Sequence, residues 1–171
     1  DFSGYSDMAI GLGKMLGFEL PMNFDSPYRA VNPSDFWARW HMTLSRWMRD
    51  YLYIPLGGSR GGRLLTLRNL VVTMFLGGLW HGAAWTFVVW GVFHGVLLVI
   101  YHSCKSYWDS IPPLVARFVM FCLIIISWVP FRSDDLGMSK EIFQAMIGVK
   151  GMMGGLTAEI PVKLWFELAV A

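Results

Sequence analysis

From Asn69 to Cys104 the chain carries no Asp, Glu, Lys or Arg, and this run limits the fold more than any other feature of the sequence. As one helix it would extend about 54 Å at roughly 1.5 Å per residue. A bilayer's hydrocarbon core is only about 30 Å thick. The run must therefore break or bend, and Gly77, Gly78 and Gly82 mark the expected place. The expected division is a short buried or re-entrant segment from Leu70 to Leu76, then a full span from about Ala83 to Tyr101. His81 falls at the break. Non-helical backbone at membrane depth is tolerated only where protein or a water-filled cavity surrounds it. A titratable side chain there is a functional suspect, so His81 is expected to line a cavity.

Composition agrees. The chain is 55% hydrophobic and 16% aromatic, and its 15% of charged residues falls below the roughly 25% of a soluble domain. That balance belongs to a membrane protein, with the lipid bilayer as its first partner. The net charge of +2 is too small to call for nucleic acid, and none is expected as a partner. From Phe36 to Asn69, Arg39, Arg46, Arg49, Arg60, Arg63 and Arg68 stand against Asp50 alone, which marks a cytoplasmic face. Cys104 and Cys122 form no paired motif and are expected as buried thiols.

Local signals place the remaining segments. Asp1 to Leu20 is apolar and glycine-rich and fits the end of a membrane helix, and Pro21 to Pro33 carries turn chemistry. A helix then opens with Asn32 as cap, Pro33 in its first position and Asp35 in its first turn. At 100° per residue, Trp37, Trp40, His41, Leu44, Met48, Tyr51 and Leu52 share one face, with Arg39, Arg46 and Asp50 opposite. This predicts one interfacial helix with His41 among the aromatics. Pro55 and the glycines from Gly57 to Gly62 are expected to end it in a flexible basic loop. Leu114 to Phe131 predicts a further span, Arg132 to Glu159 a polar connection, and Val162 to Ala171 the start of another span. The fold class expected is all-α, a polytopic membrane bundle with interfacial and re-entrant helices. Both ends look cut, so residues 1–171 are expected to be part of a single larger domain, truncated at each end.

Four histidines are the candidate chemistry. His81 has small neighbours, Gly78, Gly82, Ala83 and Ala84, which give either close packing or room for a ligand. His94, in Gly91-Val92-Phe93-His94-Gly95, is expected to be structural, and His102 to sit at the interface. No H-x-x-x-H or carboxylate partner accompanies them, so no metal is expected. Neither a G-x-S-x-G elbow nor a P-loop is present.

Four segments carry a resemblance. They are Asp1-Phe2-Ser3-Gly4-Tyr5-Ser6-Asp7, Phe36-Trp37-Ala38-Arg39-Trp40-His41-Met42-Thr43-Leu44-Ser45-Arg46-Trp47, Arg49-Asp50-Tyr51-Leu52-Tyr53-Ile54-Pro55-Leu56-Gly57-Gly58 and Gly78-Leu79-Trp80-His81-Gly82. In this order they resemble the membrane-bound O-acyltransferase family, in its alginate O-acetyltransferase branch, which is similar to the D-alanyl transfer proteins of teichoic acid modification. The resemblance implies a multi-helix fold whose tunnel admits donor and acceptor from opposite membrane faces. It implies His81 as the catalytic histidine and His41 as the second functional polar position, Asn in many relatives. Trp80, Trp40, Arg49 and Asp50, within the same motifs, are the candidate substrate-binding residues. It further implies a bacterial inner-membrane enzyme that binds no cofactor. Its donor would be an acyl thioester, acetyl-CoA or an acyl carrier. The acceptor would be a hydroxyl of an exported polysaccharide or of a periplasmic or extracytoplasmic partner protein. D-alanyl transfer and a non-enzymatic transport subunit are the alternatives.

Overall fold

The computed structural model describes residues 2–148, and among them all regular structure is helical. Helix α1 covers Phe2–Met15, α2 Pro33–Arg39, α3 Met42–Met48, α4 Arg63–His81 and α5 Trp85–Ser103; α6 is Lys105–Trp108, α7 Pro113–Arg132 and α8 Leu136–Met146. Three of these, α4, α5 and α7, are long and apolar enough to cross a membrane. The predicted span at Leu114–Phe131 is thus found in α7. The polar connection after it contains α8, and the expected span from Val162 onward lies outside the described residues.

The predicted break in the uncharged run exists, but it lies further along than expected. Helix α4 passes unbroken through Gly77 and Gly78 and ends at His81. It is a helix of 19 residues, long and apolar enough to cross a membrane, where the short segment from Leu70 to Leu76 was expected. Only Gly82, Ala83 and Ala84 separate it from α5, so the two form a tight hairpin. The glycines serve packing instead of bending. A Cβ on Gly78 would strike the Phe87 carbonyl and lie 3.1 Å from the Gly91 Cα, and one on Gly95 would lie 3.0 Å from the Val71 Cα. Gly77 takes the Met48 sulfur, which would stand 2.7 Å from an added Cβ. Small residues at such a seam let two backbones approach closely in lipid, where no hydrophobic force draws helices together. Gly78→Leu is therefore expected to lower the melting temperature of the solubilised protein sharply, since overpacking a fixed contact costs about 1–3 kcal/mol or more. Gly11→Ala is the control, because nothing lies within 4 Å of a Cβ there. Equal losses from the two changes would refute the packing account.

The predicted interfacial helix also divides. Its opening is as expected: Asn32 Oδ1 accepts from the Asp35 N–H at 2.7 Å, and Asp35 accepts in turn from the Val31 N–H at 3.1 Å. Arg39 then donates to Asp35 at 2.7 Å. But α2 stops at Arg39, and α3 begins afresh at Met42. A π-helical turn, Arg49–Tyr53, follows α3, with the Ile54 N–H reaching back five residues to the Arg49 carbonyl. Of the predicted face, Trp37 and Met48 are buried, whereas Tyr51 is turned outward against Trp47. The glycine loop after it is pinned. Asn69, 1% exposed, donates from Nδ2 to the Gly58 carbonyl at 3.0 Å and accepts from Arg68 at 2.8 Å.

The core lies where α2, α5 and α7 meet, around Phe36, Trp37, Trp90, Met120 and Ile124. Trp108 fastens α6 to the approach of α2 by donating from Nε1 to the Val31 carbonyl at 2.9 Å. Of the cysteines, Cys122 is half-buried but Cys104 is exposed, against expectation, because it sits at the end of α5 and not inside it.

Candidate active site

His81 is the last residue of α4, and the turn at Gly82–Ala84 follows at once. Its half-buried imidazole stands among aromatic rings from three helices. The Trp90 and Phe131 centroids are each 5.2 Å away, nearly perpendicular to it, and Phe87 stacks at 6.1 Å. The residue thus joins the end of the α4–α5 hairpin to the C-terminal end of α7. Pro130 sits buried inside that last turn of α7 and removes one helical N–H there.

His41 occupies the junction between α2 and α3 with φ 43° and ψ 55°, a left-handed conformation uncommon for a residue with a Cβ. Asn23 and Asp25 hold the junction from outside. The Met42 N–H donates to the Asn23 carbonyl at 2.9 Å. The Thr43 N–H and Oγ1 donate to Asn23 Oδ1 at 3.1 and 2.6 Å. The Asp25 N–H donates to the Arg39 carbonyl at 3.0 Å. Asn23 therefore caps α3, a service His41 does not perform with its own side chain. The His41 ring lies 4.8 Å from Phe2 and 6.3 Å from Phe24, and its Nδ1 is buried without a hydrogen-bond partner among the described residues. Burial holds the imidazole below its usual pKa, and a positive charge on His81 lowers it further. The two histidines are close enough to feel each other.

Trp40 lies between these groups. It packs on Phe24 at 4.9 Å, Phe36 at 5.7 Å and Trp128 at 4.9 Å. Trp128 in turn meets Phe131, the ring beside His81. Trp80 meets the His81 edge at 5.2 Å but is 63% exposed on the outer side of α4. Arg49 and Asp50 stand elsewhere, on the π-helical turn, paired with each other at 2.8 Å in an exposed position. Arg49 does line a cavity of about 290 Å³ with Trp37, Ser45, Met48 and Thr73. Trp37 Nε1 and Thr73 Oγ1 are buried there without partners among the described residues.

His94 is packed on four aromatic rings and 2% exposed, in keeping with its expected structural place. His102 is exposed at the end of α5, with Nδ1 3.1 Å from the Leu98 carbonyl. Sequence reasoning missed Asn23, Phe2, Trp90 and Phe131. Asn23 had been visible only as a turn residue, and its target lies about 20 positions on.

A helical hairpin of membrane length, with one half-buried imidazole at its turn and a second on the left-handed junction between α2 and α3, defines a polytopic membrane protein with two candidate histidines. The chain belongs to the membrane-bound O-acyltransferase family, whose model matches residues 1–131. It is 45% identical over 156 residues to a peptidoglycan O-acetyltransferase of Helicobacter pylori, covering 89% of this chain and 30% of that protein. It is 50% identical over 149 residues to a probable alginate O-acetylase of Azotobacter vinelandii, covering 85% of this chain and 30% of the relative. A teichoic acid D-alanyltransferase of Streptococcus thermophilus is 35% identical over 113 residues, covering 58% of this chain and 26% of that protein. The chain thus spans about 30% of the length of the first two relatives.

Proposed function

We propose that the protein containing this chain is a membrane-embedded O-acyltransferase that moves an acetyl group from a thioester to a hydroxyl of an exported polysaccharide. One observation carries the reading. His81 and His41 come from separate elements, a run of rings through Phe24, Trp40, Trp128 and Phe131 links the surroundings of the one to those of the other, and the His41 Nδ1 is left without a partner among the described residues. Acyl transfer to a hydroxyl needs a base, a group that steadies the developing oxyanion, and shelter from water. His81 takes the hydroxyl proton as the oxygen attacks the thioester carbonyl. The tetrahedral species collapses, the carbon–sulfur bond breaks, and the imidazolium returns the proton to the departing thiolate. His41 positions the acceptor or steadies the oxyanion. Trp40 and Trp80 would border the reacting groups, whereas Arg49 and Asp50, exposed on the π-helical turn, would meet the donor at the basic end.

Acetyl is favoured over D-alanyl because the relatives at 45 and 50% identity are named for O-acetyl transfer, and the one at 35% for D-alanyl transfer. Arginines at the start of α4 and His81 at its far end support a cytoplasmic thioester, acetyl-CoA or an acyl carrier. They also support an acceptor, or an acyl-transfer partner protein, on the opposite face of a bacterial plasma membrane. The test is a deletion strain complemented with the full-length gene, followed by mass analysis of esters on its exported polymers. Acetyl ester that appears only with complementation is expected. D-alanyl ester, or polymer export restored without any ester, would overturn the reading.

A further inference from the structure

We infer that the cleft between the first turn of α4 and the last turn of α5 holds the phosphodiester headgroup of an anionic phospholipid. The cavity there has a volume of about 390 Å³. Its cationic wall is Arg63 and Lys105, with His102 beside them, and Thr66, Ser103 and Ser106 contribute hydroxyls. Leu67 supplies one apolar wall, and no acidic residue lines it among the described residues. Arg63 is fixed across the cleft by donating from Nη2 to the Ser103 carbonyl at 3.2 Å, which leaves most of its guanidinium donors free to point elsewhere. Lys105 gives one hydrogen bond to Asp109 at 3.1 Å, and this exposed carboxylate is the competitor an anion must outmatch. Exposed pairs of that kind are weak.

Position selects a lipid as the source of the phosphate. The cleft lies at the ends of two span-length helices, on the arginine-rich side, which is the cytoplasmic leaflet by the bias of positive charge. Basic pockets between helices on that side suit anionic headgroups. Leu64, Leu65 and Ile100 are exposed on the same turns or one turn deeper, where acyl chains run, and Tyr107 is exposed at the level of the headgroups. A zwitterionic lipid would bring its own cation against Arg63 and Lys105. Phosphate free in solution offers the same anion but nothing for the leucines.

The full-length protein in nanodiscs of phosphatidylcholine with phosphatidylglycerol provides the test. Native mass spectrometry should show phosphatidylglycerol retained over phosphatidylcholine, with the preference shrinking as salt rises. Arg63→Gln and Lys105→Gln should each weaken retention roughly fivefold, from the contribution of one basic residue near a membrane surface. Arg63→Lys with Lys105→Arg should restore it. A photoactivatable phosphatidylglycerol should label the first turn of α4 and the Lys105–Ser106 segment in the unaltered protein, whatever the variants do to folding. Equal retention of the two lipids, labelling confined to other segments, or displacement of the lipid by inorganic phosphate would each overturn the assignment.

Discussion

His81→Ala in the full-length protein is expected to lower ester formation by about 10² to 10⁴-fold, the usual contribution of a positioned general base. The fold should survive. The side chain is half-buried and makes no hydrogen bond among the described residues, while Trp90, Phe87 and Phe131 pack on one another around it. His81→Gln is the sharper form of the experiment, because it keeps a polar planar side chain of similar reach but accepts no proton near neutrality. Both variants should reach the membrane in normal amount and melt close to the parent. A His81→Gln protein with parental activity would remove His81 from the mechanism. A protein inactive only because it fails to accumulate would leave the histidine with a packing role alone and refute its part in proton transfer.

His41→Gly should separate stability from activity. The left-handed backbone at φ 43° costs a residue with a Cβ about 1–2 kcal/mol, and glycine adopts it freely. The substitution removes the ring contacts with Phe2 and Phe24 and relieves that strain, so the net change in stability is expected to be within about 1 kcal/mol. Activity should fall about 10² to 10³-fold, as when one donor to a developing oxyanion is lost. His41→Asn, which tolerates the same backbone and keeps a polar group, should recover part of it. Equal activity in the parent and His41→Gly would refute the functional role. The parent should also lose stability in mild acid. The folded His41 pKa lies below its usual value, so the unfolded chain binds the proton first. Its contribution is then complete above the unfolded value of about 6.5 and declines as pH falls from there through the depressed folded value. His41→Gly should flatten that part of the curve.

How much of this was legible in the sequence depends on the range of each interaction. The cap at Asn32, Pro33 in the first helical position and Asp35 in the first turn act within one helical turn, and all are as the sequence predicts, whereas the pair of Asp35 with Arg39 was not foreseen although it spans only four residues. The small residues around His94 pack as their spacing implies. Gly77 and Gly78 misled because a glycine pair marks a hinge and a packing notch with the same letters. What decides between them is Met48 and Gly91, which come from other elements. The interruption at His41 had no local sign. Periodicity runs through Trp40 and His41 without a flaw, and the hydrogen bonds that break the helix come from Asn23 and Asp25, far back in the chain. The candidate site divides in the same way: both histidines stood out by chemistry and resemblance, while the rings that enclose them are identified only by the fold.

The three residues that join α4 to α5 bear on how the protein is made. Two apolar helices linked so closely have no room to enter a bilayer one at a time, so they should insert as one hairpin with the turn leading. His81, next to that turn, would then cross the hydrocarbon once, during synthesis, shielded by the Trp90 and Phe87 of its own hairpin. Arg60, Arg63 and Arg68, at the other end, would stay behind and stop the hairpin from going further. The same short link that places the imidazole would then also decide which side of the membrane it works on.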